Sequence, residues 1–248
     1  APTVTAGAAT GVGISSATVP GTITSIGCSA ISAYGVEYST TASFANGTGT
    51  AVAGSNLSGN NFSVALSGLS TGTTFYYHTY ATNNGGTSYS AEGSFTTLTP
   101  TLSVDALTGF GNVCTGVTAG PNTFTITGTN LSTADVTVAA LSGFTYSTDN
   151  ITYTSSLSIP QGGGSFSQLI YVKFSPTAVQ SYNGNIVVGG GGAANVNRSV
   201  TGSGIDNPVT VNTTAATSIT QVAATLNGNF TVGCSAVTGY GFEYSTTN

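Results

Sequence analysis

Along most of the chain, β-branched and aromatic residues alternate with polar ones over short runs, and Gly, Asn and Ser interrupt them. A period of two marks a half-buried strand. The three-and-four spacing of an amphipathic helix is nowhere sustained. The pattern predicts strands at residues 3–9, 16–26, 32–39, 48–52, 62–66, 74–82 and 88–97. Seven short strands in that length is the count of an immunoglobulin-like sandwich. Beyond the break at Pro100, strands are predicted at 102–104, 107–113, 123–128, 136–140, 144–147, 157–159, 167–174, 183–188 and 195–202. The run "LIYVKF" alternates apolar bulk with polar groups, as a half-covered strand should. The expected fold is all-β: tandem immunoglobulin-like β-sandwich domains arranged end to end.

One stretch occurs twice. "GCSAISAYGVEYSTT" begins at Gly27 and "GCSAVTGYGFEYSTT" at Gly233, 206 positions later. The likeness extends upstream, from "PTVTAGAAT" to "PVTVNTTAAT", so a whole domain is copied rather than a short solenoid turn. The expected division is 1–99, 100–206 and 207–248, the last being a partial copy of the first. Roughly three strands cannot bury both faces of a sandwich, so the partial copy is not expected to fold well by itself. The chain then reads as a window on a longer repeat protein.

Charge narrows the function. Only 4% of the 248 residues are charged, and Lys173 and Arg198 are the two basic side chains, for a net charge of −5. Nucleic acids and anionic membrane surfaces are bound through clustered Lys and Arg, which this chain lacks. No run of eighteen apolar residues suggests membrane insertion. Few tryptic sites and the lack of Met and Trp suit exposure outside a cell.

Candidate chemistry is sparse. The carboxylates are Glu37, Glu92, Asp105, Asp135, Asp149, Asp206 and Glu243, with no calcium-loop spacing among them. Glu37 and Glu243 are copies of one another and are expected to face solvent. His78 is the single histidine. In "TFYYHTYAT", Phe75, Tyr77, Thr79 and Ala81 share one face, and Tyr76, His78 and Tyr80 the other. For Tyr76 and Tyr80, cross-strand aromatic pairing and stacking on sugar rings are the alternatives. One histidine without clustered Cys or carboxylate is a poor metal ligand set and a poor catalytic base. No catalytic, metal or cofactor site is expected. The glycines at 189–192 lack the Lys and following helix of a phosphate loop, and read as a flexible hairpin tip.

In "LSTGTTFYYHTYATNNGGTSYS", Leu69, Gly72 and Thr73 match the corner motif of bacterial fibronectin type III repeats, which the first segment resembles. Phe75 stands where that family has its corner tyrosine, and the resemblance implies that Phe75, Tyr77, Thr79 and Ala81 point inward, leaving Tyr76, His78 and Tyr80 exposed. The second segment, with "IYVKFSPTAVQSYNGNIVV" and "VTGSG", resembles immunoglobulin-like modules related to the ASH family. Their alternation, low charge and Thr/Gly/Asn richness resemble the giant repeat surface adhesins of Bacteroidota, of the gliding-motility, type IX-secreted kind. The resemblance implies a secreted, cell-surface, non-enzymatic stalk that presents or multiplies weak adhesive contacts. Its partners would be other repeats of the same polypeptide, surface polysaccharide or neighbouring copies. Glycan-binding modules of a secreted hydrolase and a filament or sheath subunit are the alternatives. In the fibronectin frame, Cys114 and Cys234 meet across a domain joint as an interdomain disulfide. Cys28 then takes an equivalent partner from a preceding domain outside this chain. A Cys28–Cys114 bond and three reduced cysteines remain the alternatives.

Overall fold

The computed structural model describes residues 1–245, and every regular element among them is a β-strand. The first eight are β1 (Thr3–Ala6), β2 (Ser16–Ser25), β3 (Ala33–Ser39), β4 (Thr50–Ala53), β5 (Asn61–Ser67), β6 (Thr74–Asn83), β7 (Gly86–Tyr89) and β8 (Gly93–Thr96). They form two sheets. One runs β1-β2-β5; the other runs β4-β3-β6, with β7 and β8 both paired along the far side of β6. Alternation sets the inner faces: Phe62, Val64 and Leu66 of β5 point inward against Val19 and Ile23 of β2. Phe75, Tyr77 and Ala81 close the core from the other sheet.

The strand predicted over residues 88–97 is broken in two. At Ser90 the ladder is half kept: its N–H still donates to Thr79 O at 2.9 Å, but its side-chain hydroxyl, not its carbonyl, takes the Thr79 N–H at 3.0 Å. The corner at Phe75 is also rebuilt. Phe75 is buried but has no hydroxyl to tie down the backbone. The buried Thr97 hydroxyl instead donates to Ser70 O at 2.7 Å and accepts the Thr73 N–H at 2.9 Å. Tyr77, two residues after the corner, donates its hydroxyl to Gly7 O.

The middle region contains β9 (Thr101–Val104), β10 (Asn112–Cys114), β11 (Ala119–Leu131), β12 (Val136–Val138), β13 (Phe144–Ser147), β14 (Leu157–Ile159), β15 (Gly164–Phe174), β16 (Gly184–Gly190), β17 (Ala193–Val200) and β18 (Ser203–Ile205). Four-stranded sheets β13-β15-β11-β9 and β14-β12-β16-β17 face each other over a second core, centred on Phe124, Ile126, Tyr146, Ile170, Phe174 and Ile186. The predicted strand over 107–113 shrinks to its last residues. Phe110 turns inward onto Phe144 and Phe174, which takes 105–111 off the ladder. Here a tyrosine does tie its own loop: the Tyr182 hydroxyl accepts the N–H groups of Thr177 and Ala178, each at 3.0 Å. The side-chain hydrogen bond with Thr177 leads the causes that bring its phenol down to about 8.

Both cations belong to this second sandwich. The Lys173 ammonium lies 3.9 Å from the centre of the Tyr153 ring, and Arg198 donates to Val104 O. The glycine run, expected to be a flexible tip, is seated instead. Gly191 and Gly192 turn β16 into β17 at φ 61° and 77°, and Ser132 N–H donates to Gly191 O at 2.8 Å.

The two sandwiches have separate cores and follow one another as tandem immunoglobulin-like domains. The chain leaves the second through β18, which pairs in parallel with β10, setting Cys114 beside Ile205. It continues into an antiparallel hairpin of β19 (Thr210–Thr217) and β20 (Thr225–Thr231). A disulfide joins Cys114 to Cys234, with the Cα atoms 5.4 Å apart. Roughly three strands are expected of the partial copy, but residues 237–245 form no strand. Among the described residues no second sheet lies against the hairpin, and Tyr240 and Tyr244 are 87% and 86% exposed.

Candidate functional site

Two places gather the residues singled out by sequence. The first is the outer face of β3 and β6. Tyr76, His78 and Tyr80 share a face of β6 and pair with Ser39, Glu37 and Gly35 of β3. This face is not open to solvent as expected, because residues 40–49 fold back over it. Phe44 from that loop packs on the His78 ring, with centroids 4.8 Å apart. Glu37, expected in solvent, is 2% exposed. Its carboxylate accepts the Gly47 N–H at 2.9 Å and the Gly49 N–H, holding the loop shut. A buried carboxylate is tolerable because charge-assisted bonds replace its lost hydration.

His78 is 8% exposed, which corrects the expectation of a surface histidine. Nδ1 lies 3.0 Å from Ser90 O. A carbonyl only accepts, so Nδ1 carries the proton and Nε2 presents its lone pair in the neutral ring. Nε2 is buried without a hydrogen-bond partner, 3.9 Å from Glu92 Oε2. Tyr80 and Tyr89 pack together at 6.2 Å. Desolvation, followed by the Glu37 charge, raises both phenols. The cluster is thus an aromatic and hydrogen-bonded patch that fastens a loop. Glu37 has amide donors on both oxygens and is poorly placed to take a proton from a substrate. Among the described residues, no three His, Cys, Asp or Glu side chains lie close enough to hold a metal ion. The described elements are all strands, so among the described residues there is no helix long and apolar enough to cross a membrane.

Sequence alternation assigned the face but missed its covering loop. The available signal was "FANGTG" from Phe44 to Gly49, an apolar anchor close to glycines whose amides can approach closely.

The second place is the joint after the middle sandwich. Asn207 and Cys234 hold each other in a local clasp: Cys234 N–H donates to Asn207 O at 2.7 Å, and Asn207 N–H to Cys234 Sγ at 3.2 Å. Cys28 is exposed and unbonded. Its loop is held by Asn83, whose side-chain amide donates to Ile26 O and Ser29 O. Gly27 lies against Ala1 just as Gly233 lies against Asn207 and Pro208, so both cysteine loops abut the chain entering their own first strand.

No protein-family model matches this chain, and no curated protein matches it. Among solved structures, the chain is similar to the crystal structure of chicken CNTN1 FN1-FN3 domains, with a TM-score of 0.32 and 12% identity. The match covers 94% of this chain and 85% of that one. At that level the likeness adds nothing to the fold, which rests on the sheets and cores above.

Proposed function

We propose that this chain is part of a secreted, non-enzymatic cell-surface protein whose β-sandwich modules, strung in series, set distance and stiffness and present or multiply weak adhesive contacts. One observation carries the reading: two separately cored sandwiches are followed by a repeat of the first one's opening, fastened across the joint by Cys114–Cys234. A bond across a joint turns a hinge into a fixed angle. Disulfides persist in oxidising compartments, which supports an extracellular location. Surfaces built from Ser, Thr, Asn and Gly keep such a string hydrated with little charge. Cys28, in the same local setting as Cys234, is the position at which another module's Cys114-like thiol would bond. The alternation of modules is of the gliding-motility adhesin kind, and sugar or neighbouring copies are the contacts it would make.

Small-angle scattering of the full chain tests the rod. With strands of eight to ten residues and the turns at their ends, each sandwich spans ~35 Å, so two in line extend ~70 Å, with a radius of gyration above ~20 Å. A compact chain of this length would give ~18 Å. The extended value is expected, with a broader distance distribution after reduction of the disulfide. A compact value in the oxidised protein would overturn the reading.

A further inference from the structure

The hairpin after the joint keeps the register of the first copy. In β1–β2, Val4 stands opposite Ile23, and Thr10 bridges to Thr18. In β19–β20, Val211 stands opposite Phe230 and Thr217 opposite Thr225, each 207 positions later. The same local unit has therefore formed twice, and the first copy shows what lies on it.

There, β5 pairs antiparallel along β2, with Phe62 opposite Gly21, Val64 opposite Val19 and Leu66 opposite Ala17. All three β5 side chains are buried. Gly21 is required at its place: a Cβ there would run into the Phe62 ring. The β20 side repeats these features as Gly228, Leu226 and Ala224. Among the described residues, β20 pairs only with β19, so its other edge carries unpaired backbone groups. Leu226 and Phe230 are each 41% exposed and Val211 is 77% exposed. The Phe242 ring reaches the glycine seat, 3.3 Å from where a Cβ of Gly228 would lie. The seat thus already accepts an aromatic ring.

We infer that the β19–β20 hairpin is a docking surface for an extended polypeptide strand of the β5 kind, with the alternation Phe-x-Val-x-Leu. The strand pairs antiparallel on the free edge of β20. Its Phe displaces Phe242 over Gly228, its Val lies beside Leu226, and its Leu beside Ala224. Main-chain bonds supply affinity and the alternate side chains supply selectivity. The hairpin bears no charged side chain, so nothing on it repels a neutral strand. This inference is independent of whether the modules form a rod.

The probe is a labelled synthetic peptide of residues 60–68, titrated into the full oxidised chain and read by fluorescence anisotropy. Saturable binding is expected, with amide protection appearing at residues 223–229. Affinity should fall at least tenfold for the Phe62→Ala peptide, which leaves the protein untouched, and for the Leu226→Asp chain. Absence of saturable binding at millimolar peptide would overturn the inference, as would equal affinity for both peptides. A concentration-dependent dimer that Leu226→Asp abolishes and the peptide does not compete would also overturn it, assigning the face to a second hairpin.

Discussion

Residues 27–41 and 233–247 carry nearly the same sentence, yet they have different structures where both are described. In the first copy, "YGVEYS" is β3, paired on one side with β4 and on the other with β6. In the second, "YGFEYS" is no strand, and Phe242, Glu243 and Tyr244 are exposed. Upstream the copies agree, since both form an antiparallel hairpin in one register. A hairpin closes through residues 8 to 22 positions apart, whereas the β6 side of β3 is paired with residues 37 to 49 positions away. Local alternation suffices for the first and fails for the second.

The widest separation is expected at matched core positions. Ile23 is 1% exposed, and Ile23→Ala should cost about 2–5 kcal/mol of first-domain stability. Its counterpart Phe230 is 41% exposed, and Phe230→Ala should change stability by no more than about 0.5 kcal/mol. Urea unfolding read by segment-resolved hydrogen exchange checks both, and equal costs would break the comparison. The copied carboxylates come next. Glu37→Ala strands two amide donors and should cost about 1–3 kcal/mol, with faster exchange at Gly47 and Gly49. Glu243→Ala should fall within about 0.5 kcal/mol of zero in the same assay.

Acid gives the smallest effect and sharpens the contrast between folded module and hairpin. Asp149 accepts from the Ser147 hydroxyl and from the N–H groups of Ile151 and Thr152, which lowers its carboxyl to about 2. The folded value lies below the ordinary 3.8, so its stabilisation is complete above that pH and is lost as pH falls through about 2. Amide shifts of Ile151 and Thr152 should titrate with that midpoint. Residues 210–231 contain no carboxylate and should show no such step. A midpoint near 3.8 at Ile151 would show that the three donors do not hold Asp149.

Much of the architecture was legible in advance. Alternation put Phe75, Tyr77, Thr79 and Ala81 on one face, the resemblance to fibronectin type III repeats turned that face inward, and they are buried. It put Tyr76, His78 and Tyr80 on the opposite face, and β6 carries them there. What alternation could not show was that this face is covered. A period of two says which side of a sheet a residue occupies, not what comes to lie on that side. Ser90 likewise gave no warning that its hydroxyl would stand in for its carbonyl, because that role depends on Thr79 across the sheet.

The order of residues alone established strands over helices, the alternate faces of those strands and the repetition of one stretch of sequence. These follow from side-chain period and turns, which act over a few positions. Tertiary structure decided that Glu37 is a buried latch while Glu243 stays in water, that Phe44 covers His78, and that Cys114 reaches Cys234. Burial belongs to the neighbours a residue acquires, and those neighbours arrive through contacts between distant parts of the chain.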